Sequence, residues 1–156
     1  MLVFGAIVLG IALCAVAANK YLTHLPPSND YQVRSVVSGF GDELGQVSLK
    51  GTLEQVALDM DEHYALYIQP DLLADWKAHP EKALGLESIE GKPDRINIES
   101  VSKSAGNTYV IDGVITTRWN AHASSSMPGN MPVRFVLSQG PDGWQITSTE
   151  LRQIAL

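Results

Sequence analysis

Residues 109–119 read YVIDGVITTRW, and this stretch decides the fold of the chain. Large apolar side chains stand at alternate positions, which is typical of a β-strand with one buried face. We therefore predict one long strand over residues 109–119. Its two faces are expected to carry Tyr109, Ile111, Ile115 and Trp119 on one side, and Val110, Val114 and Thr116 on the other.

The same alternation is found on both sides of this strand. Before it, Ile96 and Ile98 alternate with polar residues, and the sequence SAGN at 104–107 predicts a turn. After it, a polar loop at 121–130 is followed by two more predicted strands, which are joined by a tight turn with the sequence GPDG at 140–143. Val133, Phe135 and Leu137 mark the first of these strands, and Trp144, Ile146 and Ser148 alternate in the second.

Before residue 95, apolar residues recur at the three- and four-residue spacing of an α-helix. Two amphipathic helices are expected, and the second begins at Thr52 with a Thr-x-x-Gln capping box that includes Gln55. A short third helix is expected from Pro70 through Trp76. The apolar faces of the first two helices are Val33, Val36, Val37, Phe40, Leu44 and Val47, and then Leu53, Val56, Ala57, Met60, Tyr64 and Tyr67. The predicted fold is α+β, with two to three helices packed on a curved, cone-like, four-stranded antiparallel sheet.

Residues 2–18 are all apolar or glycine, and the first ionisable side chain is that of Lys20. A helix needs roughly 17–25 residues to cross a bilayer, so residues 1–21 are predicted to be a transmembrane anchor or a signal peptide. An uncleaved anchor is favoured because no Lys or Arg precedes the apolar run, although the small residues at 15–18 would suit cleavage. Lipid attachment at Cys14 is disfavoured by the leucine before it. In each case we expect the remainder of the chain outside the cytoplasm.

The remainder is long enough for one domain. Residues 22–30 contain two adjacent prolines and are expected to form a stiff linker, and residues 31–156 can bury a core of their own. The formal net charge of −6 argues against a nucleic-acid partner, which would need a basic patch. The single cysteine, Cys14, lies in the apolar segment, so no disulfide is expected in the domain.

The sequence DGWQI at 142–146 forms the last predicted strand after a hairpin turn. Together with the order of the elements, it resembles the nuclear transport factor 2-like (cystatin-like) superfamily over residues 34–150. A second stretch, residues 64–77 followed by KPDRI at 92–96, is similar to uncharacterised secreted proteins of Gram-positive bacteria. Superfamily members with a membrane span and one extracytoplasmic domain include the assembly component of type IV secretion and conjugation machines. Other members are ketosteroid-isomerase-like enzymes or accessory domains of cell-wall proteins.

Members of this superfamily hold ligands inside the cone, which directs attention to inward-facing side chains. The candidate cavity residues are Tyr64, Tyr67, Trp76, Asp112 and Trp119. Asp112 is the candidate general base for an isomerase or dehydratase. The alternative interpretation is that the aromatic side chains are ordinary core and that Asp112 is an exposed or ion-paired strand residue.

A second candidate lies on the second helix, where Asp59 and His63 are four residues apart and could share a divalent metal. Two helical ligands without a third are common by chance, so a solvated acidic face is favoured and no metal or other cofactor is predicted. Residues 42–75 contain eight acidic residues and one basic residue. Such a stretch usually forms a solvated helical face, and alternatively it is a docking surface for a basic partner.

The expected function is binding or assembly without catalysis. We expect a sheet or helix surface to contact another envelope protein or a second copy of the chain, in a conjugation, secretion or cell-envelope complex. Residues 2–19 are expected to hold the chain at the membrane. The alternative function is small-molecule binding, or isomerase- or dehydratase-like catalysis in the cone cavity.

Overall fold

The structure is a computed structural model that describes residues 28–86, 89, 92–118 and 130–152. In these residues three α-helices precede four β-strands, which confirms the α+β class. The helices are α1 (Asn29–Glu43), α2 (Leu53–Tyr64) and α3 (Pro70–Ala78), and a short 3₁₀-helix (Pro80–Lys82) follows them. The strands are β1 (Lys92–Lys103), β2 (Thr108–Arg118), β3 (Asn130–Gly140) and β4 (Gly143–Leu151).

The apolar segment of residues 1–21, predicted as an anchor or signal peptide, lies outside the described residues, and so do residues 22–27 of the expected linker. None of the helices in the described part of the chain has both the length and the apolar character needed to span a bilayer. The linker was predicted to extend to residue 30, but α1 already begins at Asn29. Ser28 explains this start, since its Oγ accepts the backbone N–H of Tyr31 at 3.3 Å and so caps the helix.

The four strands form one antiparallel sheet in the order β1-β2-β3-β4. The odd-numbered residues of β2, such as Ile111 and Ile115, are buried in the core that the sheet shares with the helices, as the alternation predicted. We call this side of the sheet the inner face. The opposite side, which carries the even-numbered residues of β2, is the outer face. Trp119, expected on the inner face, lies outside the described residues.

Strand β4 departs from its predicted alternation after Ile146. Leu137 lies opposite Ile146, but the next residue of β3, Val136, lies opposite Ser148. Thr147 is therefore the extra residue of a β-bulge, and the bulge moves Ser148 to the outer face. Trp144 and Ile146 are buried as expected, whereas the prediction that Ser148 shares their face is wrong.

Helix α1 packs on β1 through its predicted apolar face. Val33, Val37 and Phe40 are fully buried, and so are Leu44 and Val47, which follow the last helical residue. The close approach of the two elements depends on Gly41, where a Cβ would lie 3.0 Å from Cγ1 of Ile96.

Helix α2 begins as predicted. Thr52 caps it by accepting the backbone N–H of Gln55 at 3.2 Å. In a complete capping box the Gln55 side chain would also bond back to the backbone N–H of Thr52. Here its side-chain amide donates to Asp59 at 2.7 Å instead. Leu53 was expected in the buried face but is largely exposed, because it is the first helical residue and lies beyond the buried stripe.

Candidate functional site

Aromatic side chains fill the space between the helices and the inner face of the sheet. The Phe40 ring lies 5.0 Å from Tyr64, 6.3 Å from Trp76 and 6.1 Å from Phe135, measured between ring centroids. Tyr64 and Trp76 lie 6.1 Å apart with their rings edge to face, the geometry that packed aromatic pairs prefer. We call these four residues the aromatic cluster.

Two tyrosines link this cluster to its surroundings. The hydroxyl of Tyr64 is buried and donates to the backbone oxygen of Leu84 at 2.8 Å. Tyr67 is half-buried at the edge of the cluster, 6.5 Å from Phe40, and lies against Gly39, where a Cβ would come within 2.6 Å of its ring. Three of the five predicted cavity residues, Tyr64, Tyr67 and Trp76, are thus brought together by packing against Phe40.

Asp112 is not part of this group, because its even position in β2 places it on the outer face. It accepts two hydrogen bonds from Arg134 of β3, one from Nε at 2.7 Å and one from Nη2 at 3.1 Å. Ser100 donates to the same carboxylate at 3.3 Å, and Nη1 of Arg152 lies 3.5 Å from it. We call these residues the Asp112 cluster.

The electrostatics of the Asp112 cluster oppose a role as general base. The hydrogen bonds from Arg134 lower the pKa of Asp112 below its usual value, and the nearby charges of Arg134 and Arg152 add to this effect against a smaller opposing contribution from burial. The carboxylate is therefore ionised at neutral pH and accepts three hydrogen bonds, which makes it a poor proton acceptor. This geometry agrees with the alternative prediction, that Asp112 is an ion-paired strand residue and not a general base.

The pair proposed for a metal, Asp59 and His63, is engaged in other contacts. Nδ1 of His63 lies 2.7 Å from Oε2 of Glu43 and so joins α2 to α1. Asp59 accepts the side-chain amide of Gln55, as noted above. Within the described ranges, no group of three or more His, Cys, Asp or Glu side chains is arranged to hold a metal ion.

The sequence analysis gave the whole acidic stretch of residues 42–75 as an alternative docking surface, but it did not identify the outward surface of α2 within that stretch. Glu54, Leu58 and Glu62 are exposed there at four-residue intervals, and Leu66 is exposed in the turn that follows the helix. The sequence contained a signal for this surface. The helical period places Leu58 opposite the buried stripe, where a leucine has no packing role.

A cleft of about 330 Å³ lies where the start of α3 meets the β3–β4 hairpin. One rim is held by the chain before α3, since Ile146 of β4 donates to the oxygen of Tyr67 at 2.8 Å and accepts the N–H of Gln69 at 2.9 Å. No basic side chain lines this cleft. Its lining residues are Gln69, Pro70, Asp71, Ser138, Gln139, Gly140, Pro141, Asp142, Gln145 and Thr147.

Comparisons with known proteins bear on the fold. No protein-family model matches the sequence, and no curated protein matches it. Among solved structures, the intermembrane space region of the chloroplast protein ARC6 is similar, with a TM-score of 0.50 and 12% sequence identity. The match covers 81% of this chain and 98% of the ARC6 chain. At that identity the likeness concerns the fold alone, namely helices on an antiparallel sheet.

Proposed function

We propose that this chain is a non-catalytic binding and assembly domain of a bacterial envelope complex, with its body outside the cytoplasm. The observation that carries the proposal is the aromatic cluster. Phe40, Tyr64, Trp76 and Phe135 contact one another where a ligand-binding cone would be open. A domain with a packed interior acts through its surfaces.

The location outside the cytoplasm is supported by two separate observations. Residues 2–18 are apolar and uncharged, as expected of an anchor or an export signal. The structurally similar ARC6 region is itself an intermembrane-space domain. The resemblance to the nuclear transport factor 2-like superfamily and its secretion-machine members agrees with both.

Catalysis is the weaker proposal, because the residues that it needs are separated. Asp112 lies on the outer face and is ion-paired, whereas the aromatic cluster lies on the inner side of the same sheet. A general base must reach the substrate within hydrogen-bonding distance or through one water. The sheet itself separates this carboxylate from the aromatic side chains.

The proposal can be tested by site-specific photo-crosslinking of the full-length chain in its native membranes. A photoreactive residue would be placed singly on three surfaces: at Leu66 next to α2, at Ser148 on the outer face, and at Gln139 in the cleft. The matched control position is Ala105, in the exposed β1–β2 turn. We expect at least one of the three surfaces to give a discrete protein adduct, either with another protein or with a second copy, that the control position does not give. The absence of adducts from all three, or the same adducts from Ala105, would refute the proposed function.

A further inference from the structure

We infer that the outward surface of α2 binds a cationic amphipathic segment of a partner protein. This inference rests on the proposed function and names the chemistry of the partner. The surface consists of Glu54, Leu58, Glu62 and Leu66, and we call it the acidic leucine surface.

The helical period places Glu54, Leu58 and Glu62 away from the core, and Leu66 is exposed in the turn after the helix. Val56, Met60 and Tyr64 form the buried stripe of α2. Leu58 lies on the opposite side of the helix, and Glu54 and Glu62 lie one turn before and after it. The surface therefore has an apolar centre with a carboxylate on each side along the helix axis.

The exposed leucines are concentrated in this part of the molecule. Leu58 is 57% exposed and Leu66 is 80% exposed. They are two of the five exposed large apolar side chains in the described ranges, whereas Leu53, which is 66% exposed, lies at the start of α2 and is not part of this surface. A single exposed leucine needs no explanation, but a group of them beside charged residues is typical of an interaction surface.

Within the described ranges, the carboxylates of this surface lack counterions. Neither Glu54 nor Glu62 forms an ion pair with any residue that the structure describes. Two lysines that follow α2 in the chain pair with other carboxylates, since Lys77 pairs with Asp61 at 2.8 Å and Lys82 pairs with Asp75 at 3.1 Å. The local potential is therefore negative, and it favours a cationic partner.

Charge also decides between the possible occupants. A second copy would bring the same carboxylates against Glu54 and Glu62, and like charges in contact oppose association. An anionic membrane surface is repelled for the same reason. A helix that carries leucines along one side and Lys or Arg beside them matches both the apolar centre and the charged borders.

The inference can be tested with a synthetic helical peptide of about sixteen residues that contains only leucine and lysine, with the leucines along one face. The full-length chain would be held in nanodiscs of zwitterionic lipid, and empty nanodiscs would be measured in parallel. Binding is followed by fluorescence anisotropy of the labelled peptide. A peptide of the same composition in scrambled order, which lacks the apolar face, controls for net charge.

Two pairs of variants test the two halves of the surface. The double variant Leu58→Ser/Leu66→Ser keeps every charge, and its matched control is Leu53→Ser, an exposed leucine of the same helix outside the surface. The double variant Glu54→Gln/Glu62→Gln keeps the apolar contacts, and its matched control is Glu99→Gln on β1. We expect each double variant to weaken peptide binding about tenfold or more, as loss of central interface contacts does. The two controls should stay within about twofold of the wild type, and added salt should weaken binding to the wild type.

Equal binding of the scrambled peptide would mean that only net charge is sensed, and losses in the controls equal to those in the double variants would mean that binding does not depend on this surface. Either result would overturn the inference. Failure of the ordered peptide to bind the wild-type chain would overturn it as well. The proposed function is judged separately by crosslinking. Adducts from the outer face or the cleft, combined with no peptide binding, would leave a binding domain whose partner is not cationic.

Discussion

At the scale of single residues, Asp112 shows how much of a side chain's location can be predicted from the sequence. Its position in the middle of a strand was predictable, but its surroundings were not. Arg134 and Arg152 lie 22 and 40 positions further along the chain. Arg134 meets Asp112 because β3 pairs with β2 in one particular register, and Arg152, which follows β4, also needs the pairing of β4 with β3. A strand pattern gives the face of a residue only after register and bulges are known.

The ion pair of Asp112 predicts a pH-dependent contribution to stability. We expect Asp112→Asn to lower the free energy of unfolding at pH 7 by about 1 kcal/mol, the upper range for a partly exposed pair. Because the pKa of Asp112 is lowered in the folded state, its contribution is present above the usual aspartate pKa. It is lost as the pH falls through the lowered pKa of the folded state, so the difference between the two proteins should narrow in acid.

Urea unfolding at a series of pH values checks this, with Asp142→Asn in the exposed β3–β4 turn as the matched control. A difference between wild type and Asp112→Asn that stays constant down to about pH 2 would contradict the linkage argument. Asp142 has no hydrogen-bonding or ion-pair partner among the described residues, so its substitution should change little at any pH.

Trp144 carries a second prediction at this scale. Its ring is buried and lies 5.1 Å from Tyr109, edge to face, while its Nε1 is buried without a hydrogen-bond partner in the described part of the chain. We expect Trp144→Ala to cost about 3–5 kcal/mol of stability, as core aromatic truncations do. Trp144→Phe keeps a ring against Tyr109 and removes the unpaired donor, so it should cost much less.

Chemical denaturation of both variants separates these two contributions. A loss below about 1 kcal/mol in the alanine variant would mean that Trp144 is not a core residue. Equal losses in the two variants would instead show that Nε1 has a partner that stabilises the folded state.

At the scale of secondary structure, the spacing of apolar residues predicted which helices and strands form better than it predicted where each of them begins and ends. The helix faces and strand faces follow from apolar spacing, and Pro70 and Thr52 mark helix starts as predicted. The bulge at Thr147 could not be foreseen, because residues 144–148 alternate without interruption in the sequence. The bulge is a property of the pairing between two strands, and the sequence of one strand does not contain it.

The packing of α1 on β1 gives a prediction for Gly41. In an open helix, Gly→Ala is stabilising by up to about 1 kcal/mol. At Gly41 the added methyl would meet Ile96, with its side chain at 3.0 Å and its backbone nitrogen at 3.1 Å. The backbone cannot move aside locally, so we expect Gly41→Ala to destabilise the fold by about 1–3 kcal/mol.

Thermal or urea unfolding measures this effect, and Ser38→Ala on the exposed side of α1 is the matched control. The control substitution has the same helical context without the contact to β1, and it should be neutral or slightly stabilising. A gain of stability in Gly41→Ala would show that the two elements can separate without cost.

At the scale of the whole molecule, the sequence predicted the class of the fold but not the location of a site. The candidate cavity combined residues from both sides of the sheet, because alternation alone does not say which side the helices cover. Asp112 and Trp76 illustrate this, since each was placed in a plausible element and the sheet lies between them. The acidic leucine surface shows the reverse case, a site that periodicity could have indicated.

The predicted division of the chain into an apolar segment at residues 1–21 and a domain after it leads to a prediction about the domain alone. Residues 25–156 expressed alone should be soluble and folded without detergent, because the core of the described residues draws on positions 33 to 146. Size-exclusion chromatography and near-ultraviolet circular dichroism check this. Aggregation in the absence of detergent would show that the body depends on the apolar segment.

The pairing of Tyr67 and Gln69 with Ile146 has a consequence for biogenesis. Ile68 and Ile146, which form this bridge, are 78 positions apart, so the loop that it closes spans half of the chain. Contacts of such long range are slow to form, since the entropy of closing the loop must be lost first. A nascent polypeptide cannot make this closure until its last strand has left the ribosome. The contact between the chain before α3 and β4 is therefore completed only after that last strand has been synthesised.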